Sequence, residues 1–402
     1  MKKTHTILLP SMLPLHFKFL SGVLNGCGYK TELLENGNEK VVEEGLKYVN
    51  NDVCYPALLV IGQFISALKS GKYDLNTTAL LITQTGGGCR ASNYIYLLRK
   101  ALKKADLGKV PVVSLNLSGF EKNPGFRITF KMLKNMIFAL CYGDVLMALN
   151  DAVSPYEKNK NECKSKIEKW EKVIFNEFAL KNNVNFERFK NRVGSIVKDF
   201  SGIDLEDKKA LKVGVVGEIY IKYSELGNNK LVNFLKSNNC EVCVPGILSF
   251  ILFKVDARLE DIKLYGGSSL KKVVLSVLMN YLQKVESVIL KNLRKIPSLI
   301  HLKSYSLKKQ AISGIIGFGN KMGEGWLLTA EIVDLIKSGF KNIICAQPFG
   351  CLPNHISGKG MLRKIRGIFP DSNIVSLDYD PGASKTNQEN RIKLMLSMAQ
   401  KN

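Results

Sequence analysis

The chain has 402 residues, of which 46% are hydrophobic, 23% are charged and only 12 are proline. This is the balance of a globular protein, so it excludes a disordered or fibrous chain, and at about 150 residues per domain the length predicts two or three lobes. The formal net charge of +23 raises the question of nucleic acid. Because the aromatic residues are not interleaved with the basic ones as base-stacking platforms, we do not expect a nucleic-acid partner.

The N-terminal segment contains a short apolar run over residues 5–10, which Pro10 and His16 interrupt. No small-residue cleavage site follows it, so it predicts a first strand and not a signal peptide. The longest strongly apolar stretch, residues 57–68, is shorter than the roughly 20 residues that cross a bilayer. We therefore expect a cytoplasmic protein with no membrane partner.

Short apolar runs alternate with helical patterns through the first part of the chain. This alternation is typical of βαβ units and predicts a parallel sheet. The predicted strands are residues 5–10, 31–35, 78–84 and 110–116, and the predicted helices are residues 15–26, 38–50, 56–69, 92–105 and 128–149.

Residues 156–199 are strongly charged with helical spacing, which is typical of an exposed helical connector. The α/β pattern then resumes. Its predicted strands are residues 212–220, 240–246, 342–348 and 373–380, and its predicted helices are residues 225–237, 268–293 and 326–338, one after Leu352 and one from Lys385. The sequence thus predicts an α/β protein of two doubly wound parallel-sheet lobes, residues 1–150 and 209–402, joined by a helical connector over residues 151–208.

One segment, residues 271–310, is unusually basic. It carries nine Lys or Arg residues against a single acid, Glu286. A solvated helix face is one interpretation, and a docking surface for an acidic partner is the other.

Nine cysteines in a chain expected in the cytoplasm indicate core thiols, metal ligands or reactive groups in preference to disulfides. Three of them stand directly before a predicted helix: Cys54, Cys89 and Cys351. Cys89 and Cys351 also follow predicted strands, at the edge where open α/β sheets bind ligands. Backbone N–H groups at a helix N-terminus stabilise anions and lower the pKa of a thiol, which favours metal-binding thiolates.

These three thiols are candidate ligands of an iron-sulfur cluster. Three thiolates on a 4Fe-4S cluster leave one iron without a protein ligand, open to water or substrate. A phosphate-binding turn at the glycines that precede Cys89 is the competing interpretation, although neither a Walker pattern nor GxGxxG is present.

The other cysteines have simpler interpretations. Cys240 and Cys243 form a CxxC within a predicted strand, where an offset of three directs the side chains to opposite faces and favours core packing. Four further cysteines could serve as additional ligands of a larger cluster: Cys27, Cys141, Cys163 and Cys345.

Long motifs surround the three cysteines and extend to both ends of the chain. They are CYPALLVIGQF, QTGGGCRASNY, PFGCLPNHISGKGM, DYDPGASKTNQENRIKLML, LPSMLPLHFKFLSGVL and VGVVGEIYIKYSELGNNKL. With these motifs the chain resembles the 2-hydroxyacyl-CoA dehydratase superfamily, and more closely its branch of acyl-CoA dehydratase activase-related proteins. The resemblance covers nearly the whole chain.

The resemblance implies that Cys54, Cys89 and Cys351 hold a 4Fe-4S cluster between the two lobes. A double-cubane cluster is disfavoured because no second set of cysteines lies in matching motifs. The resemblance also implies a separate ATP-hydrolysing iron-sulfur activator that supplies low-potential electrons in trans. The reaction would be reductive or radical chemistry on a bound substrate such as an acyl-CoA, by a lyase or reductase component in a homo- or hetero-oligomer.

Polar residues near the cysteines could hydrogen-bond the sulfides of a cluster or bind substrate. Glu218 and Glu225 are candidate acid-base groups, although a surface role is favoured for both. Lys222 stands where the resemblance leads us to expect Arg, and DPGASK is interpreted as a helix cap. The candidate polar residues are Gln84, Gly88 and Arg90 around Cys89, and Asn354, His355 and Lys359 around Cys351.

Two alternatives to a catalytic redox protein remain. The first is an accessory component of a dehydratase and activase system that carries a cluster without turnover of its own. The second is a non-metal α/β module that binds phosphorylated ligands.

Overall fold

Two four-stranded sheets organise the chain in its computed structural model, which describes residues 1–2, 4–35, 37, 39–50, 52–84, 88–115, 123, 125–180 and 183–401. Every strand pair within the two sheets is parallel. The first sheet contains β1 (Thr6–Leu9), β2 (Lys30–Leu33), β3 (Thr78–Thr83) and β4 (Val112–Leu115), and the second contains β5 (Leu211–Gly217), β6 (Cys240–Cys243), β7 (Asn342–Pro348) and β8 (Asn373–Tyr379).

Both sheets have the same strand order, β2-β1-β3-β4 and β6-β5-β7-β8. The order reverses beside the first strand of each sheet, between β1 and β3 and between β5 and β7. In doubly wound sheets the crevice at this reversal, outside the carboxyl ends of the strands, is where ligands bind. A ligand site is therefore expected at the loops that follow β1, β3, β5 and β7.

The central strands are apolar because both of their faces are covered. All seven residues of β7 are buried, as are the first five of the six residues of β3. Continuous apolar runs of this kind are typical of parallel strands between helices, which is why the sequence predicts these strands well.

Helices occupy more of the chain than strands. The longer ones are α1 (Pro14–Gly26), α2 (Glu39–Tyr48), α3 (Tyr55–Leu68), α4 (Tyr94–Lys104), α5 (Phe130–Val153), α6 (Glu162–Ala179), α7 (Phe186–Phe200), α10 (Ile247–Tyr265), α11 (Ser269–Leu293), α13 (Trp326–Lys337) and α16 (Lys385–Lys401). The short ones are α8 (Ile219–Tyr223), α9 (Leu231–Ser237), α12 (Tyr305–Ala311), α14 (Leu352–Ser357) and α15 (Leu362–Ile368), with 3₁₀ turns at Arg90–Asn93, Pro297–Leu299 and Lys359–Met361.

Two predictions about these elements are wrong, and one helix was missed. The strand predicted over residues 212–220 ends at Gly217, which has a φ of +143°, and a Cβ there would lie 1.7 Å from the carbonyl oxygen of Ala346. The helix predicted from residue 225 begins at Leu231. The long helix α10 was not predicted at all, because its apolar residues are interrupted by charges and lack a clean periodicity.

The helices expected to form an exposed connector are not exposed throughout. Trp170, Ile174 and Phe178 on one face of α6 are buried, and Phe189 of α7 stacks on Phe138 of α5 with ring centroids 4.6 Å apart. The charged pattern correctly predicts helices, but each is amphipathic and covers the core with its apolar side.

The two sheets share their hydrophobic cores. Ile7 of β1 and Ile343 of β7 belong to one continuous apolar cluster, and their neighbours Leu8 and Ile344, on the opposite faces, belong to the other. Because packed cores resist deformation, the two carboxyl edges are held in a fixed relation to each other.

Two helices, α5 and α11, are long and apolar enough to cross a membrane by length and composition alone. In α5, 72% of the apolar window is buried, which fits the core helix of a soluble protein. In α11 only 28% of the window is buried.

A buried carboxylate ties together three helices that are distant in sequence. Asp144 of α5 accepts a hydrogen bond from Nε2 of His16 in α1 at 2.9 Å. Its two oxygens also accept the backbone N–H groups of Ile247 and Leu248 at the start of α10, each at 2.9 Å. The approach is so close that a Cβ on Gly246 would lie 2.6 Å from the carboxyl group of Asp144.

Replacing Asp144 by Ala is expected to lower the free energy of unfolding by about 3 kcal/mol, because it leaves buried donors without an acceptor. Asp144→Asn keeps one acceptor and should cost less. Urea unfolding followed by circular dichroism measures both, with Asp207→Ala at an exposed position as the control. A D144A protein as stable as this control would contradict the role of Asp144.

Candidate metal centre

The three candidate cysteines all occupy the residue that precedes a helix. Cys54 precedes α3, Cys89 precedes the 3₁₀ turn that leads into α4, and Cys351 precedes α14. Each has an extended backbone, with ψ values of 142°, 145° and 106°, as N-cap residues do. Helices that lead back to a parallel strand start at the carboxyl edge of the sheet, so both lobes contribute thiols at these edges.

Backbone N–H groups of the first helical turn face each thiol. They belong to Ala57, Ala91 and Asn354, and each lowers the pKa of its cysteine. The amide of Asn354 adds a side-chain contact, with Nδ2 at 3.4 Å from Sγ of Cys351. These groups stabilise a thiolate, the form of cysteine that binds metal.

One carboxyl group is a common neighbour of the three thiols. Burial is the main effect on all of them and raises the pKa of Cys54 to about 11. The charge of Glu218, directly after β5, raises the pKa of each cysteine further, and the charge of Cys89 also raises that of Cys54. Cys54, Cys89 and Cys351 therefore share one carboxyl neighbour, although they are distant in sequence. We call the surroundings of these three thiols and Glu218, at the carboxyl edges of the two sheets, the crevice.

Within the described ranges, no three His, Cys, Asp or Glu side chains converge closely enough to hold a single metal ion. An iron-sulfur cluster binds its cysteines on separate irons and keeps their sulfur atoms further apart. The finding concerns single-ion sites and does not decide for or against a cluster.

A tyrosine that the sequence does not single out contacts the first cysteine. The hydroxyl of Tyr94, at the start of α4, lies 2.8 Å from Sγ of Cys54. Burial raises the pKa of Tyr94 well above its usual value, so the hydroxyl stays protonated and can donate to a thiolate. Because α4 also follows Cys89, this hydrogen bond connects the surroundings of both first-lobe cysteines.

The polar residues predicted around Cys89 brace its loop. The guanidinium of Arg90 donates to the carbonyl of Asp52, which connects this loop to the one before Cys54. Gln84 donates to the carbonyl of Ser92 at 3.1 Å. A Cβ on Gly88 would lie 2.9 Å from the sulfur of Met322, so glycine permits a close contact with the second lobe. Gly86 and Gly87, also considered for this role, lie outside the described residues.

The polar residues predicted around Cys351 separate into two groups. Asn354 is fully buried against the thiol, and its Oδ1 has no partner among the described residues. Lys359 instead pairs with Asp378 at 3.1 Å, and His355 is exposed, with Nδ1 at 3.4 Å from the amide nitrogen of Gln347. The side chains of these two residues are directed to Asp378 and Gln347 of the β7–β8 end, and the only described contact with Cys351 is the backbone N–H of His355, which donates to the carbonyl of Cys351 at 2.9 Å.

A second buried carboxyl lies beside Glu218. Oε1 of Glu324 accepts the backbone N–H of Ile219 at 3.0 Å, while Oε2 has no partner in the described part of the chain. Burial, assisted by the charge of Glu324, raises the pKa of Glu218 to about 8. The surface role favoured for Glu218 is therefore wrong: it is half-buried and caps α8 through the N–H of Ile221.

One half-buried cation balances part of this charge. Lys254 of α10 donates to the carbonyl of Gly323, and its charge lowers the pKa of Cys89. Burial lowers the pKa of Lys254 itself. Neither Lys254 nor Glu324 stands near a cysteine in sequence, so no local motif reveals them.

The structure also tests the roles predicted for Lys222, Glu225 and the DPGASK segment. Lys222 is buried and pairs with Glu331 of α13 at 3.2 Å, so it is not directed toward an anion. Glu225 is exposed, as expected of a surface residue. In DPGASK, Asp380 accepts the N–H of Gly382 and Ser384 accepts that of Asn387, which confirms a turn followed by a helix cap.

The remaining cysteines lie in the core or near it. Cys240 and Cys243 pack into different apolar clusters on opposite faces of β6, as their spacing predicts. Cys141, Cys163 and Cys345 are buried, and Cys27 is half-buried beside the end of α1.

The chain matches no protein-family model, and no curated protein is significantly similar to it.

The residues present fit a cluster that takes three protein ligands. They offer three thiols from both lobes, an N–H group facing each, and an otherwise acidic crevice in which burial disfavours free thiolates. Iron binding would supply the positive charge that this crevice lacks.

Tyr94→Phe tests the hydrogen bond to Cys54. Loss of about 1 kcal/mol of thiolate stabilisation should slow iodoacetamide alkylation of Cys54 about fivefold in metal-free protein at about pH 8.5, measured by peptide mass spectrometry. Tyr96→Phe, at a half-exposed position on the same helix, is the matched control. Equal rates in all three proteins would show that the hydroxyl does not act on Cys54.

Glu218→Gln tests the shifted carboxyl. The raised pKa lets folded Glu218 keep its proton up to about pH 8, whereas the unfolded chain loses it near the ordinary glutamate pKa of 4.5. The folded state binds more protons in this window, so wild-type stability falls as pH rises through it. The variant should gain relative stability from pH 5 to 8, by at most about 1.4 kcal/mol per pH unit.

Urea unfolding of metal-free protein at several pH values measures this difference. Exposed Glu225→Gln is the control and should follow the wild-type slope. Parallel curves for E218Q and wild type would contradict a raised pKa at Glu218.

Proposed function

We propose that this protein is a cytoplasmic iron-sulfur redox protein that holds a 4Fe-4S cluster on Cys54, Cys89 and Cys351. The observation that supports it best is the placement of the three thiols. Each stands at an N-cap, both lobes contribute, and all three share Glu218 as a neighbour. The resemblance to the 2-hydroxyacyl-CoA dehydratase superfamily, drawn from the motifs around these residues, supports the same proposal.

When bound, such a cluster would accept one low-potential electron and present one iron without a protein ligand to a substrate. An ATP-hydrolysing iron-sulfur activator would supply the electron in trans. The substrate class that we propose is an acyl-CoA thioester, in a lyase or reductase reaction.

Two side chains cover part of this centre. Met322 packs against Gly88 although it is itself half-exposed, and Asn354 is buried against Cys351. The raised pKa of Glu218, about 8, favours its protonated form at neutral pH, and its charge affects all three thiols, so we propose it as the group that gives a proton to a bound substrate or takes one from it.

Replacement of each of the three cysteines by Ala should remove most of the iron from anaerobically purified protein. Wild type should contain about four iron and four sulfide per chain and give an electron paramagnetic resonance signal after reduction. Cys240→Ala, at a core position in β6, is the matched control and should keep full iron content. Full iron content in all three site variants would exclude the proposed ligands.

A second measurement separates a catalytic protein from an accessory cluster carrier. If the open iron acts on substrate, the resonance signal of the reduced protein should change when a 2-hydroxyacyl-CoA is added. An intact cluster whose signal does not change on addition of the ester would favour an accessory cluster carrier.

A further inference from the structure

The end of the α10–α11 hairpin projects from the body of the protein. We call residues 263–278 the hairpin tip. Its first twelve residues, 263–274, are all exposed, and they comprise the last turn of α10, the connecting turn and the start of α11. So long an exposed run places most of the tip outside both lobes, and its described neighbours in the second lobe are Gly319 and Lys321, which lie beside Tyr265.

The tip is apolar where a solvated turn would be polar. Tyr265 and Leu270 are 75% and 74% exposed, and Val273, Val274 and Val277 are each at least 60% exposed. Single exposed apolar residues are ordinary, but a contiguous group of this kind marks an interaction surface.

Three of these side chains form an apolar stripe along α11. Leu270, Val274 and Val277 follow a spacing of four and three, which places them on one side of the helix. The same side of α11 continues toward the core, because Tyr281, Val285 and Val288 lie three turns, or 11 residues, further along the helix and pack on the apolar cluster. The stripe is therefore the end of the core-packing side that extends beyond the body of the protein, where it is available for another contact.

The charge of the tip has one sign. Lys263, Lys271 and Lys272 belong to it, and the sequence contains no acid between Asp261 and Glu286. A second copy of the chain would place these lysines close to equal charges, which disfavours pairing of two tips.

We infer that the hairpin tip binds the surface of an anionic lipid bilayer. Apolar side chains lie on both arms of the tip, Leu264 and Tyr265 on α10 and Leu270 and Val273 on α11, so they form a projecting wedge and not a groove. The wedge inserts at the boundary between headgroups and acyl chains, and Tyr265 sits at the headgroup level. The lysines extend their ammonium groups to anionic headgroups.

This contact is peripheral and reversible, and it is independent of the cysteine site. Although α11 is long and apolar enough to cross a membrane, its residues Met279, Leu282 and Val285 are buried in the protein. The helix therefore cannot span a bilayer without leaving the core. The inference goes beyond the sequence, which predicts no membrane partner.

Flotation of the full-length protein with unilamellar vesicles tests the proposal. Vesicles of equal parts phosphatidylglycerol and phosphatidylcholine should carry the protein to the top of the gradient, and vesicles of phosphatidylcholine alone should not. Leu270→Ser/Val274→Ser should weaken binding at least about tenfold through loss of apolar insertion. Lys271→Glu/Lys272→Glu should do so by a similar factor through lost attraction to the headgroups.

Matched controls change the same residue types elsewhere. Leu394→Ser replaces a leucine that is 62% exposed on α16, and Lys172→Glu/Lys198→Glu makes the same charge change on α6 and α7. Circular dichroism verifies that all variants are folded. Both controls should bind vesicles more tightly than the corresponding tip variants.

Three results would overturn the proposal. The first is absence of binding to the anionic vesicles. The second is equal weakening of binding by the control variants, which would indicate attraction by net charge alone. The third is self-association of wild type in sedimentation velocity that L270S/V274S abolishes, which would assign the stripe to a second copy of the chain.

Discussion

The burial of five acidic side chains in one crevice is the constraint on which the site depends. Three of them are the thiols of Cys54, Cys89 and Cys351, and two are the carboxyls of Glu218 and Glu324. Burial raises the pKa of every one of these groups, so the crevice cannot hold them all as anions. Lys254 supplies one positive charge. The remaining thiolate and carboxylate charge has to be removed by protonation or balanced by an added cation. A crevice of this kind is poorly explained as packing, because apolar residues of the same volume would cost less to bury.

The fold holds these groups together through its shared core. Two sheets of identical strand order place the reversal points of both at the crevice, and apolar clusters that run through both sheets fix their separation. Hydrogen bonds then connect the loops: Arg90 to Asp52 within the first lobe, and Glu324 to Ile219 within the second. The site is thus assembled from loop residues, while the helices and strands determine where those loops meet.

Much of the architecture follows from the sequence because parallel strands are buried on both faces. Strands such as β3 and β7 appear as uninterrupted apolar runs, and their limits were predicted to within one residue. The N-cap placement of the three cysteines was also predictable, since proline follows Cys54 and Cys351 within two residues. α10 was missed because it is apolar on several sides, packing on α5 and α11 at once, so that a single amphipathic stripe is absent.

The second group of site residues could not be found from local pattern. The backbone partner of Glu324 lies 105 positions away, and Tyr94 lies 40 positions from Cys54. A single glutamate in a sequence most often lies at the surface, and only its neighbours in the fold, Glu324 and the three thiols, show that Glu218 does not. The same limit applies to His16 and Asp144, which are 128 positions apart and carry no recognisable motif.

The contrast between an acidic crevice and a chain of net charge +23 affects how partners are selected. A strongly positive surface attracts any polyanion, including the phosphates of a CoA ester and the headgroups of a bilayer, and this attraction weakens with salt in both cases. Charge therefore brings partners close without distinguishing between them. Selection between partners has to come from groups that do not bind phosphate. At the crevice these groups would be the thiols and the protonated carboxyls. At the hairpin tip they are aliphatic side chains, whose transfer out of water lowers the free energy of binding.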